Sequence, residues 1–173
     1  MAIRKILTEP DPFLRQKSQD VEGVDDEIRR LMQDMLDTMY AAPGIGLAAI
    51  QVGVPKRIIV IDLSKEEVKK PLYFVNPRVI LKSNSKATYE EGCLSVPGQF
   101  AEIDRPDRCH VTYLDYNGKQ QELKAEGLLA TCIQHEIDHL EGILFIDYLS
   151  KLKKSFIVKK LSKQKKSLER IVV

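Results

Sequence analysis

The chain has 173 residues, of which 43% are hydrophobic and 30% are charged, a balance typical of one globular domain and not of a disordered chain. It has no run of eighteen apolar residues, which excludes a membrane-spanning helix, and three cysteines without an apolar leader or transit segment predict a reduced, cytoplasmic protein rather than an organellar one. The formal net charge of +2 is uneven, because residues 151–173 carry nine Lys/Arg against one acid, whereas residues 1–150 carry 18 basic and 24 acidic residues.

The first half of the chain predicts one helix followed by strands. A short strand is expected at 3–6 and a loop at 8–19. Apolar residues recur at three- and four-residue spacing over 25–42, with acids in the first turn, and predict a helix that ends at Pro43 and Gly44. The glycine-bearing segment 44–55 is expected to be an ordered loop, and strand-like runs follow at 57–63, 72–81 and 88–97.

The second half predicts a hairpin and two more helices. Strands at 109–115 and 119–124 flank Asn117-Gly118, a pair that favours a type I′ turn. Helical periodicity covers 127–140 and stops before Gly142. A short apolar run, 144–149, precedes a long basic helix, 150–171, with a thin apolar stripe of Leu152, Phe156, Leu161 and Leu168.

This order of elements predicts the architecture. We expect an α+β fold in which antiparallel strands pack around a central helix and a long helix follows at the C-terminus. We divide the chain into a catalytic domain, residues 1–150, and a basic helical extension, residues 151–173.

Residues 135–139 read HEIDH and match the HExxH pattern on the predicted helix at 127–140. His135 and His139 are four residues apart, so both imidazoles lie on one face, about 6 Å apart along the axis, and can reach one metal ion. Glu136 is placed to take a proton from water that the ion activates. The alternative is a helix with two ordinary histidines.

A catalytic metal site needs a third protein ligand. The long HExxHxxGxxH form is excluded because Phe145 stands where its third His belongs, and Glu169 lies deep in the basic extension. Cys132 is seven residues, about 10 Å, from His139 and cannot share an ion with both histidines. Cys93, between Gly92 and Pro97, remains as a thiolate candidate, although a buried Cys acting as a small hydrophobe is the commoner case.

The segment 44–51, GIGLAAIQ, also matches the GxGxxA pattern of dinucleotide-binding folds. A helix and not a strand precedes it, and Pro43 interrupts its start, so that interpretation fails. Two others remain. The segment is either a tightly packed buried loop or the wall of an active site in which Gln51 donates an amide hydrogen bond to an oxyanion.

Taken together, the three segments resemble the peptide deformylase family. Its motifs GxGxAAxQ, EGCxS and QHExxHxxG stand here at 44–51, 91–95 and 134–142 with no departure at a defining position. The resemblance covers most of residues 1–150. It implies a hydrolase that removes the formyl group from the N-terminal methionine of new polypeptides and releases formate.

The resemblance also implies roles for single residues. Cys93, His135 and His139 match the metal ligands, and Glu136 matches the general acid and base. Gln51 and the backbone N–H of Leu94 match the oxyanion donors, and Gly46 would lie against the substrate backbone. The implied cofactor is one Fe²⁺ per chain, for which Zn²⁺, Ni²⁺ or Co²⁺ can substitute.

Two surfaces are expected to contact the substrate. The turn before His135 carries Leu128, Thr131 and Cys132, and with Ile45 opposite these residues are candidates for the methionine pocket; the alternative is that they are ordinary core. Beyond Pro97 several family members carry an arginine near the substrate, whereas residues 98–100 are Gly-Gln-Phe. This difference favours apolar contact through Phe100.

The partners expected are N-formylmethionyl nascent peptides and, through the basic helix 151–170, the ribosomal RNA; the alternative is a surface helix that packs by its apolar stripe. We expect a bacterial monomer without membrane contact. Three other functions compete with deformylation. They are a general metallopeptidase, a zinc-stabilised binding module, which would need four protein ligands, and an inactive relative, which the intact Glu136 and Gln51 disfavour.

Overall fold

The computed structural model describes residues 2–65 and 67–171, and at 168–171 it describes the backbone alone. Over these residues the chain forms three α-helices: α1 (Asp26–Ala41), α2 (Gly127–Leu140) and α3 (Lys151–Ile171). Seven strands accompany them: β1 (Gly46–Ala48), β2 (Ile58–Ile61), β3 (Leu72–Lys82), β4 (Lys86–Cys93), β5 (Val96–Pro106), β6 (Arg108–Leu114) and β7 (Gln120–Glu126). Short 3₁₀ helices cover Pro12–Arg15, Ala49–Val52 and Phe145–Tyr148.

The strands form two antiparallel sheets, as the α+β prediction expected. One sheet has five strands in the order β1-β2-β3-β6-β7, and the other pairs β4 with β5. Helix α2 packs against both sheets and is the central helix of the fold. This confirms the predicted architecture, including the long C-terminal helix α3.

Strand β2 shows how the layers are held together. All four of its side chains, Ile58 to Ile61, are buried. Because successive side chains of a strand point to opposite faces, Ile58 and Val60 pack toward α1, whereas Ile59 and Ile61 pack toward α2. The five-stranded sheet therefore lies between the two helices.

Helix α1 forms where the apolar spacing predicts it. The side chain of Asp25 accepts a hydrogen bond from the N–H of Ile28 at 2.9 Å and caps the first turn. Its apolar residues at three- and four-residue spacing are buried: Ile28, Leu31, Met32, Met35, Leu36 and Met39.

Helix α2 covers the predicted residues, and Gly142 determines how the chain leaves it. Gly142 has φ +76°, and a Cβ there would lie 2.3 Å from the carbonyl oxygen of Arg15. Any other residue would therefore displace the backbone near Arg15, and we expect only Gly to be tolerated at 142.

Helix α3 packs on the β4–β5 sheet through a separate apolar cluster. Ile157 and Leu161 are buried there with side chains of β5 and of the segment 144–146. Leu152 and Phe156 are exposed, so the predicted stripe is wrong for these two positions; the buried face is offset and includes Ile157. The side chain of Leu168 lies outside the described residues.

Several other expectations about local structure are wrong. Residues 3–6 form no strand, and the segment 44–55 contains β1 and the 3₁₀ helix Ala49–Val52 instead of being loop throughout. The expected strand at 88–97 is two strands, because β4 ends at Cys93 and the chain reverses into β5. Gly118 has φ +79° but Asn117 has no positive φ, so the hairpin lacks the predicted type I′ turn. None of the described helices is both long and apolar enough to cross a membrane.

Candidate metal centre

Three side chains, one from the end of β4 and two from α2, lie close together. The ligand atoms of Cys93, His135 and His139 all lie within 4.8 Å of one another, and Sγ of Cys93 is 3.3 Å from Nε2 of His139. Both histidines are buried and Cys93 is half-buried. One ion can therefore contact all three side chains at once.

The backbone around Cys93 explains how it reaches the helix. Cys93 is the last residue of β4 and pairs with Val96, after a register shift that follows Gly92. The turn at Leu94 and Ser95 then reverses the chain into β5. The shift and the tight turn place the thiol at the end of the two-stranded sheet, facing α2.

Of the two cysteines considered as a third ligand, only Cys93 lies with both histidines. Cys132, although on the same helix, does not belong to the group of candidate ligands found among the described residues. Burial raises the pKa of the Cys132 thiol to about 12, which disfavours the thiolate that a metal needs. Phe145 is buried and stacks on His135 with ring centroids 6.2 Å apart, so it packs against a candidate ligand where the longer motif has a third histidine.

Gln51 lies in the wall of the same site with its amide orientation fixed. Its Oε1 accepts a hydrogen bond from the N–H of Ala48 at 2.9 Å. Its Nε2 is therefore turned toward the site, 3.6 Å from Sγ of Cys93 and 3.0 Å from Oγ of Ser95. The side chain is 1% exposed, which leaves its donor group in a water-poor setting.

Glu136, which follows His135 on α2, is buried as well. Its Oε2 has no hydrogen-bond partner among the described residues. A Cβ at Gly46 would lie 2.6 Å from Oε1 of Glu136, so a residue larger than glycine at 46 would displace the carboxyl group. Burial raises the pKa of Glu136 to about 7, which suits a group that both accepts and returns a proton near neutral pH.

The orientation of His135 is set by a buried ion-pair network that the sequence analysis missed. Nδ1 of His135 lies 2.8 Å from Oε1 of Glu91, which leaves the other ring nitrogen for a metal. Arg105 pairs with both oxygens of Glu91 at 2.7 and 3.0 Å and with Asp138 at 2.8 Å. Although burial alone would raise the pKa of Glu91, the hydrogen bonds from His135 and Arg105 lower it, so Glu91 is a carboxylate.

The sequence motifs point to Glu91 and Asp138 but not to Arg105. Glu91 opens the EGCxS motif and Asp138 lies inside HExxH, so both could have been examined as partners of a ligand. Arg105 had no signal, because it belongs to a strand that the hydrophobic pattern did not predict.

A cavity of about 630 Å³ opens beside the ligands. Leu128 and Ile45 are partly exposed at 43% and 48%, whereas Thr131 and Cys132 are buried. Phe100 is 66% exposed. The lining contains every expected substrate-contacting or oxyanion residue: Ile45, Gly46, Gln51, Leu94, Phe100, Leu128, Thr131 and Cys132.

The donor set fits a catalytic metal ion. One thiolate and two imidazoles suit zinc and other divalent transition metals better than Mg²⁺ or Ca²⁺. Three protein donors, where a structural zinc site has four, are typical of sites that keep a coordination position for reactants. The unpartnered Oε2 of Glu136 is a buried proton acceptor at such a site.

Comparison with known proteins places these features in one family. The family model described as polypeptide deformylase matches residues 3–155. The chain is 71% identical to a peptide deformylase of Pelagibacter ubique over 174 residues, covering 100% of both chains, and 62% identical to one of Phenylobacterium zucineum, covering 96% of this chain and 99% of that one. The crystal structure of peptide deformylase from Ehrlichia chaffeensis in complex with actinonin is 48% identical, covers 95% of this chain and 98% of that one, and superposes with a TM-score of 0.91.

Proposed function

Because this chain belongs to the polypeptide deformylase family, we propose that Cys93, His135 and His139 hold its metal ion and that Glu136 moves the proton in the reaction. The activity is that of the family. The chain is a hydrolase of protein biosynthesis that removes the N-formyl group from the N-terminal methionine of new polypeptides and releases formate. The single observation that carries the residue assignment is the convergence of the three ligand atoms beside a buried, unpartnered Glu136.

The ion, when bound, supplies Lewis acidity, which lowers the pKa of water toward neutrality and polarises a carbonyl oxygen. Oε2 of Glu136 accepts one proton of the attacking water while the oxygen of that water bonds to the formyl carbon. Glu136 then gives that proton to the methionine nitrogen as the carbon–nitrogen bond breaks. The products are a free amine and formic acid, which keeps the second proton of the water and ionises to formate in solution, and Glu136 regains its starting charge.

Negative charge grows on the formyl oxygen during the attack, and two donors are proposed to meet it. Nε2 of Gln51 is held in place because its amide oxygen is already bonded to Ala48. The backbone N–H of Leu94 lies directly after Cys93 in the turn. One oriented donor of this kind lowers the barrier by about 3–4 kcal/mol.

The metal is proposed to be Fe²⁺, as the family resemblance implies, with Zn²⁺, Ni²⁺ or Co²⁺ able to substitute. Protein purified anaerobically is expected to contain about one iron per chain and to release formate from a formyl-methionyl peptide, as measured by metal analysis and a formate assay. Unformylated peptides serve as the control and are expected to remain intact. Zinc in stoichiometric amount, with no iron, would contradict the choice of ion but not the site.

Ile45, Leu128, Thr131 and Cys132 are proposed to form the methionine pocket, since all four line the cavity beside the ligands. Cys132→Trp is expected to raise KM for formyl-Met peptides about 10- to 100-fold, because burial of a methionine side chain contributes about 1.5–3 kcal/mol. Leu128→Trp, at a more exposed position, tests the same wall with less strain on the core. Unchanged KM in both variants, with metal retained, would remove this wall from the pocket.

Substrate residues after the methionine are proposed to contact Phe100. Its ring is largely exposed at the cavity and packs on Gly92, where a Cβ would come within 2.5 Å of it. An aromatic surface at this place favours apolar over charged side chains. Comparing kcat/KM for peptides that differ only at the second residue, in wild type and in Phe100→Ala, measures this preference.

The basic extension, residues 151–173, is proposed to dock the enzyme on the ribosome in the cytoplasm. Its lysines are mostly exposed, whereas Ile157 and Leu161 are buried against the catalytic domain. A chain that ends at Leu149 is expected to keep activity on short formyl peptides but to lose salt-sensitive co-sedimentation with ribosomes. The monomeric state stays a prediction, which size-exclusion chromatography with light scattering would measure.

A charge variant separates docking from helix packing. Lys159→Glu, Lys160→Glu and Lys163→Glu together keep the buried face of α3 and should weaken co-sedimentation at low salt. The control carries the same charge change elsewhere, at the exposed Lys17, Lys65 and Lys86, and should bind as wild type. Equal ribosome binding by the α3 triple variant, the control and the wild type would show that the helix only packs.

A further inference from the structure

Tyr148 joins the start of the C-terminal helix to the buried network behind the metal centre. It ends the 3₁₀ helix Phe145–Tyr148, and two residues separate it from the start of α3. Its hydroxyl donates a hydrogen bond to Oδ2 of Asp138 at 2.7 Å, and its ring centroid lies 4.9 Å from the guanidinium carbon of Arg105. The ring is half exposed, whereas Arg105 is 4% exposed, so Tyr148 forms part of the cover over Arg105.

The hydrogen bonds continue inward without a break. Oδ2 of Asp138, which accepts from Tyr148, also accepts from Nη1 of Arg105 at 2.8 Å. The remaining donors of Arg105, Nε and Nη2, pair with the two oxygens of Glu91, and a two-point pair of this kind fixes the plane of the carboxylate. Oε1 of Glu91 then meets Nδ1 of His135 at 2.8 Å.

We propose that Tyr148 is a positioning residue for His135, through Asp138, Arg105 and Glu91. Without the hydroxyl, Oδ2 of Asp138 keeps only its bond to Arg105. The Asp138 carboxylate is then held less firmly and orients Arg105 less well. Glu91 is then held less firmly, and the ring of His135 gains freedom to rotate away from the ligand geometry. The inference rests on the proposed function, since it requires His135 to be a metal ligand.

The 3₁₀ helix that carries Tyr148 is held in place by its neighbours. Phe145 and Ile146 are buried, in an apolar cluster that includes Val96 and Ile103 of β5. Asp147 pairs with Arg15 at 2.6 Å. These contacts fix the segment beside Asp138. Burial and the hydrogen bond to Asp138 raise the pKa of Tyr148 to about 12, so its hydroxyl remains a donor at neutral pH.

The test uses the full chain loaded with Co²⁺, whose visible absorption reports thiolate ligation, and follows transfer of the ion to excess EDTA. Loss of an outer hydrogen-bonding partner of a ligand typically costs about 10- to 100-fold in metal affinity. The direct partner of His135 is Glu91 and Tyr148 acts through it, so smaller effects are expected: Tyr148→Ala should lose Co²⁺ about 3- to 10-fold faster than wild type, and Tyr148→Phe, which keeps the ring, about 3-fold faster. Phe156→Ala, at a more exposed aromatic on α3, is the control and should lose Co²⁺ at the wild-type rate.

Wild-type Co²⁺ retention in both Tyr148 variants would overturn the proposal, and a lower Tm in those variants would make Tyr148 a packing residue. His135→Ala tests the proposed function separately from the role of Tyr148, because a variant that still bound Co²⁺ tightly would refute the assignment of His135 as a ligand.

Discussion

Glu136→Gln is expected to lower kcat for formyl-methionyl peptides about 10²- to 10⁴-fold while the protein keeps its metal, because positioned proton transfer contributes a factor of this size. The amide has nearly the shape of the carboxyl group and still fits beside Gly46, where a Cβ would meet the side chain at 2.6 Å. It cannot accept a proton at Oε2. Steady-state formate release and metal analysis of the same preparation measure both effects.

The matched control is Glu126→Gln, which removes a charge from the exposed start of α2. Its side chain makes no capping hydrogen bond, so activity should remain near that of the wild type. Glu136→Gln with wild-type kcat would show that another group moves the proton. Loss of metal together with activity would instead mean that Glu136 acts chiefly by shaping the site.

Cys93→Ser is expected to weaken metal binding more than about 100-fold, since the loss of an outer hydrogen-bonding partner alone costs 10- to 100-fold. A hydroxyl is a harder and far less acidic ligand than a thiol, so it does not replace the thiolate at neutral pH. The thiol also lies 3.3 Å from Nε2 of His139, so its loss removes one side of the ligand group. Competition with a chromogenic chelator gives the change in affinity.

The other two cysteines supply the controls. Burial raises the pKa of the thiols of Cys109 and Cys132, so neither is a thiolate at neutral pH. Cys109→Ser and Cys132→Ser are therefore expected to bind metal as the wild type does, although the second substitution also changes the wall of the cavity. Metal loss in Cys132→Ser combined with full binding in Cys93→Ser would reverse the assignment.

The elements predicted well are those that depend on local spacing. Helix α1 needs only its cap at Asp25 and an apolar residue every three or four positions, and α2 follows the same rule. The pairing of His135 with His139 is likewise a property of one helix, because residues four apart share a face whatever the rest of the chain does. These features were readable from neighbouring residues alone.

Strand β5 was missed because it lacks a continuous apolar face. Of its eleven residues, Val96, Ile103 and Arg105 are buried, and the strand pairs with β4 alone. Arg105 is buried because carboxylates 14 and 33 positions away in the chain pair with it. A charged residue in a polar segment predicts exposure, and only the fold brings it the partners that offset the cost of burial.

The sequence by itself determined the chemistry: two histidines and an acid on one helix, and a cysteine and a glutamine in segments rich in small residues. The tertiary structure decided which of these groups meet. Gln51 contacts Cys93 across 42 positions of the chain, and Cys93 contacts His139 across 46. Spacing along the chain carries no information about such contacts, because they depend on how the register shift in β4 and the packing of both sheets on α2 direct each side chain.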